Sequence, residues 1–229
     1  MGVAALSIIL CHALQYGVDI QGFPRKLLIY GNIGVDVFLF LSGMGCWFSL
    51  MKSQDYFLWL KRRFFRIFIP YTIVLLILRL LGLGVDHSPW GEWLLYFSTF
   101  RFWTHHDGMW YVALLVLLYP LTPLLHRSFE LSRNRTVIAT TLIALILIIT
   151  HLPVEKTGEL ANSIILNLQG AFKRTVSFVL GMYIAPYVKQ GIKANALYII
   201  GASALGCVLF HFLMKEVGCP ILADRKSVV

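Results

Sequence analysis

Residues 137–152 contain no Asp, Glu, Lys or Arg, and they form one of seven long apolar runs. The others are 3–16, 30–50, 67–85, 109–126, 172–188 and 196–214. Several approach the ~20 residues that a helix needs to cross a hydrocarbon layer about 30 Å thick. In lipid every backbone N–H and C=O must find a partner within the protein, so only helices and closed barrels span it. The runs are continuous and lack the alternation of a barrel strand. The sequence therefore predicts an all-α fold, a polytopic transmembrane bundle of about seven helices.

Composition agrees. Apolar residues make up 58% of the 229, charged residues only 14%, and the mean hydropathy is +0.74. A soluble domain carries roughly 45–50% and 25%. These values argue against a soluble enzyme, a nucleic-acid binder or a disordered chain. The four cysteines, Cys11, Cys46, Cys207 and Cys219, do not form a metal-binding pattern, and no metal is expected.

The net charge of +9 is distributed unevenly. Lys52, Lys61, Arg62, Arg63 and Arg66 face only Asp55 in the 51–66 connection. Arg127, Arg133 and Arg135 face only Glu130 between the fourth and fifth runs, and Lys189 and Lys193 follow the sixth. Cations concentrate in cytoplasmic loops, which predicts a multi-pass protein with a cytoplasmic N-terminus; the cell (inner) membrane is its expected location. The chain reads as one membrane domain over 1–229, incomplete at both ends. The polar connection 86–108 holds Trp90, Trp93, Trp103, His105 and His106. It reads either as an interfacial aromatic belt or as the wall of an outward-facing pocket.

Ionisable groups within spans are costly and mark function. His12 closes the otherwise apolar first run, and Asp36 lies near the start of the second. A short connection makes these two runs antiparallel neighbours, so the imidazole and the carboxylate are expected to meet at similar depth. A carboxylate beside a histidine fixes its tautomer and favours its charged form. The alternatives are a histidine that only bonds a neighbouring helix and an Asp36 that begins a re-entrant turn. Arg63 and Arg66 are three apart, hence on one helical face, and guanidinium groups suit phosphates. Plain charge bias and lipid headgroups explain them too. Trp110 and Tyr111 read as interface anchors or as pocket walls. Arg79 and His211 read as packing or snorkelling residues.

Together these segments resemble acyltransferase family 3, membrane proteins that O-acylate cell-surface sugars. Ala4-Ala-Leu-Ser-Ile-Ile-Leu-Cys-His12 is similar to the family's first helix. Gly34-Val-Asp36-Val-Phe-Leu-Phe-Leu-Ser-Gly43 is similar to its second-helix signature. Arg63-Phe-Phe-Arg66-Ile-Phe-Ile-Pro70, Trp110-Tyr111 through Tyr119-Pro120, and Phe178-Val-Leu-Gly181-Met match later motifs. The resemblance implies transfer of an acyl group, commonly acetyl, from cytoplasmic coenzyme A to a hydroxyl of an extracytoplasmic glycan. It implies His12 as the catalytic histidine, with Asp36 supporting it. It implies Arg63 and Arg66 as holders of the acetyl-CoA phosphates. Trp110 and Tyr111 are expected to line the substrate pocket. The lipid bilayer, the acyl-CoA and the glycan acceptor are the expected partners, and nucleic acid is not.

Three departures accompany the match. Met1 stands where the family has an arginine, and Leu115 and Val116 stand near the place of its acidic pair. Family domains have about ten helices rather than seven, so a truncated member is expected. A glycan transport or flippase component, or an inactive truncated membrane protein, is the competing reading.

Overall fold

A computed structural model describes residues 2–15, 31, 33–53, 55–81, 90–105, 109–154 and 158–190. The expected helix over 196–214 lies outside them, as do His106, Lys193, Cys207, His211 and Cys219. The described residues form nine helices. These are α1 (Gly2–Gln15), α2 (Ile33–Leu50), α3 (Tyr56–Leu80), α4 (Trp90–Phe97), α5 (Phe100–His105), α6 (Trp110–Leu131), α7 (Arg135–Thr150), α8 (Glu159–Lys173) and α9 (Thr175–Lys189). Met1–Pro186 form one compact unit, and Tyr187–Val229 form another, in which the described residues are the end of α9.

The described residues are helical, as the apolar runs predict. α2 and α6 are each long and apolar enough to cross a membrane, and Gly2–Ala13 and α7 are shorter apolar helices. Large apolar side chains point outward along α3 (Ile69, Ile73, Leu76, Ile77, Leu80) and α7 (Val137, Leu145, Ile148, Ile149).

Three parts differ from the sequence expectation. α3 begins at Tyr56, not near residue 67, so the basic segment 61–66 is helical and not a loop. Asp55 supplies the reason: its side chain accepts from the Leu58 amide at 3.1 Å and caps the helix. Pro70 sits inside this helix without ending it. Second, the connection 86–108 contains α4 and α5. They turn into each other at Thr99, which adopts a φ of 62°. Third, α8 occupies a stretch that hydropathy leaves blank. Its sequence mixes Leu160, Ile164 and Leu168 with Asn162, Ser163, Asn167 and Gln169, so its mean hydropathy is low although one side packs on protein.

The core is built from the inward sides of α2, α6 and α9. Trp47, Leu39, Leu114, Leu115, Leu118, Phe129, Phe178 and Met182 are all buried there. α2 and α9 cross closely at glycines. A Cβ on Gly43 would collide with the Phe178 carbonyl, and one on Gly181 with the Phe40 carbonyl. Small residues let backbones approach to van der Waals distance, which drives helix association where no hydrophobic force acts between helices. A smaller cluster of Tyr71, Leu75, Trp93, Tyr96 and Val112 docks α4 on α3 and α6. There the Tyr71 hydroxyl donates to the Tyr96 carbonyl, and the Arg79 guanidinium lies 4.3 Å from the Trp93 ring centroid. Arg79 is thus a packing residue, held over an aromatic face.

α8 clasps α5. The Asn167 amide donates to the carbonyls of Phe102 and Trp103, both at 3.0 Å, and the Ser163 hydroxyl donates to that of Thr104 at 2.7 Å. Gln169 reaches across to the Leu152 carbonyl at 2.9 Å, just past the end of α7.

Candidate functional site

α2 carries a polar residue at each level of the bundle. Asp36 lies in its first turn, Ser42 in its middle and Ser49 in its last turn. Asp36 and Ser49 are about 20 Å apart at 1.5 Å per residue. The two ends hold different chemistry.

At the Asp36 end, the Arg174 guanidinium donates from Nη1 to Oδ2 of Asp36, forming an ion pair. The Ser177 hydroxyl donates to Oδ1 at 3.4 Å. The Arg174 guanidinium also lies 5.7 Å from the centroid of the Trp110 ring. Three separate elements meet here: the first turn of α2, the α8–α9 joint and the start of α6. Asp36 sits at the positive N-terminal end of α2, which favours its charge, and Arg174 caps the C-terminus of α8 directly before α9 begins at Thr175. Both side chains are 28% exposed, so the pair is not sealed in the core.

At the other end, Arg63 turns inward from α3. Its Nη2 donates to the Gly45 carbonyl at 2.6 Å and to the Ser49 hydroxyl at 2.7 Å. Trp59 donates from its indole N–H to the same hydroxyl at 2.7 Å. Arg66 is exposed one turn further along, as are Lys61 and Arg62. The Arg63–Arg66 pair expected from the sequence is therefore split by environment, one guanidinium packed and one presented. Midway between the ends, the hydroxyls of Ser42 and Tyr119 are 3.4 Å apart.

His12 lies in the last turn of α1 and is exposed, whereas its neighbour Cys11 is buried. Glycine contacts set the register of α1 on α2. Gly34 packs on Ala4, Ser7 and Ile8, and Gly31 packs on Ser7 and Cys11. The helices are thus antiparallel, as expected. Asp36 comes level with the Ala4 turn, and His12 lies on the order of 10 Å away along the axis. The carboxylate is taken by Arg174 and Ser177, so the His12–Asp36 pairing read from the sequence is not the one the structure makes.

Trp110 and Tyr111 open α6, with their rings edge to face at 6.2 Å. Both pack against the core, and Trp110 also belongs to the Asp36 cluster. Arg174 and Ser177 are functional candidates that sequence reasoning did not reach. So is a third group beyond the Arg63 cluster: the His126 ring lies 4.2 Å from that of Trp47, with the Arg135 guanidinium 5.3 Å from the same ring. His126 Nδ1 is 3.5 Å from Oε2 of Glu130.

The site thus joins a carboxylate–guanidinium pair beside an indole at one end of α2 to a serine-anchored arginine at the other. An exposed histidine stands on the adjoining helix. A family model described as an acyltransferase domain, that of acyltransferase family 3, matches residues 2–218. No curated protein matches the chain, and no solved structure does. The match covers all the helices described above, and on that ground the chain belongs to acyltransferase family 3, a membrane-associated family of acyltransferases.

Proposed function

We infer that this protein transfers an acyl group, in the first instance acetyl, from cytoplasmic acyl-CoA to a hydroxyl of an extracytoplasmic glycan. The observation that carries the reading is the family match over residues 2–218. The polarity of α2 supports it, with cations at the Arg63 end and the carboxylate–indole cluster at the other. Exposed apolar side chains along α3 and α7 support a lipid surround, since soluble monomers rarely expose large contiguous apolar patches. The basic 52–66 and 127–135 segments then face the cytoplasm.

In this reading Arg66, with Lys61 and Arg62 beside it, meets the donor phosphates. Arg63 completes that mouth while fixing the last turns of α2 through Gly45 and Ser49. The acceptor binds at the Asp36 end, against Trp110 and Tyr111. His12 acts as general base: it takes the proton of the acceptor hydroxyl as the oxygen attacks the thioester carbonyl. The tetrahedral intermediate collapses, the C–S bond breaks, and the proton passes to the departing thiolate. The products are the ester and free coenzyme A. A positioned imidazole contributes typically 10²–10⁴-fold to such a step. Asp36 contributes from its own cluster on α2, at a distance from the imidazole.

The test uses vesicles from cells expressing the chain, supplied with radiolabelled acetyl-CoA. Label in the envelope glycan, with equimolar release of coenzyme A, supports the reading. Glycan translocation without coenzyme A release would point instead to a transport component.

A further inference from the structure

We propose that Arg174 is a positioning residue that holds the Asp36 carboxylate and the Trp110 indole as one wall of the acyl-acceptor site. The inference rests on the acyltransferase reading above and adds to it a residue that carries no sequence motif.

Four observations support it. First, both oxygens of Asp36 are approached from the α8–α9 side, Oδ2 by Arg174 and Oδ1 by Ser177. The orientation of the carboxylate is thereby set by groups outside its own helix. Second, the same guanidinium lies against the Trp110 ring, so one side chain fixes a charged acceptor and an aromatic face. A carboxylate beside an indole is a combination suited to a sugar: hydrogen bonds to hydroxyls from one, apolar contact with ring C–H groups from the other. Third, the pair is only half-buried, with 28% of each side chain exposed. It is therefore open to an incoming acceptor. Fourth, α2 and α9 are already clamped by the reciprocal packing of Gly43 and Gly181. The bundle does not need the ion pair to hold these helices together, which leaves orientation as its role.

The fork geometry of arginine matters here. A lysine preserves the charge but not the planar donor array that orients a carboxylate.

The experiment compares the unaltered chain with Arg174→Ala, Arg174→Lys and the exchanged double variant Asp36→Arg/Arg174→Asp. Each is expressed in full and assayed in membrane vesicles with radiolabelled acetyl-CoA and the vesicles' own envelope glycan. Thermal midpoints are measured in detergent. Arg174→Ala is expected to keep its midpoint and its KM for acetyl-CoA. Its kcat for transfer is expected to fall on the order of 10- to 100-fold, the scale of misplaced reacting groups. Arg174→Lys should show a smaller kcat loss with an unchanged midpoint, and it reads the role even if the alanine variant folds poorly. The exchanged variant should also keep the wild-type midpoint, without regaining kcat. An Arg174→Lys or Arg174→Ala protein with wild-type kcat would overturn the proposal. So would an exchanged variant with wild-type kcat, since only a bridge without an orienting role survives exchange of its partners. Absence of any transfer by the unaltered chain overturns the acyltransferase reading, and this inference with it.

Discussion

Arg174, at the joint between α8 and α9, forms an ion pair with Asp36, in the first turn of α2. The two residues are far apart in the chain, and Asp36 sits at the helix end whose dipole favours its charge. This contact joins the signature segment of α2 to a joint that bears no recognisable motif. It also draws Trp110 into the same cluster.

The glycine crossing of α2 and α9 gives the first prediction. Gly43 and Gly181 each face a backbone carbonyl of the opposing helix, which cannot yield as a side chain can. Gly43→Ala and Gly181→Ala should each destabilise the protein by about 1–3 kcal/mol, the usual range for overpacking. Thermal midpoints in detergent measure this. Midpoints equal to the wild type would show that α2 and α9 do not cross at these glycines.

Asn167 gives the second. Its amide serves the carbonyls of both Phe102 and Trp103 from a buried position. Asn167→Ala should cost about 1–3 kcal/mol, the desolvation penalty of buried groups that lose a partner. Asn167→Asp should do no better, because a carboxylate cannot donate to a carbonyl. A fully stable Asn167→Asp protein would contradict the α5–α8 clasp.

The two arginines of α3 separate in the third. Arg63 is spent on Gly45 and Ser49, whereas Arg66 is presented outward. Arg63→Ala should lower the thermal midpoint as well as activity. Arg66→Ala should leave the midpoint unchanged and raise the KM for acetyl-CoA by about tenfold, equivalent to one charge-assisted contact. An unchanged KM in Arg66→Ala would remove that residue from the donor site.

Much of the fold was readable from hydropathy because the reading depends on continuous apolar sequence. α1, α2, α6, α7 and α9 lie close to the runs that predict them. The failures share a cause. A window tuned to lipid-facing spans is blind to helices whose polar groups are satisfied by protein, such as Ser163 and Asn167 on α8. It also treats Lys61–Arg66 as a loop, although Asp55 preceding an apolar-rich stretch was a legible cap signal. The site was readable in its parts but not in its pairings. His12, Asp36, Arg63 and Trp110 stand out as charged or aromatic groups in apolar surroundings. Nothing local in the sequence ties Asp36 to Arg174. The offset between Asp36 and His12 depends on a helix register that glycine packing sets, and no helical period reveals it.

Acetyl transfer by His12→Ala tests the central claim most directly. The chain is reconstituted with radiolabelled acetyl-CoA and envelope glycan, and ester label is followed alongside coenzyme A release. The unaltered protein is predicted to transfer label with matching thiol release, and His12→Ala, equally stable, to lose transfer by about 10²–10⁴-fold. A His12→Ala protein that acylates glycan at the unaltered rate would contradict the account.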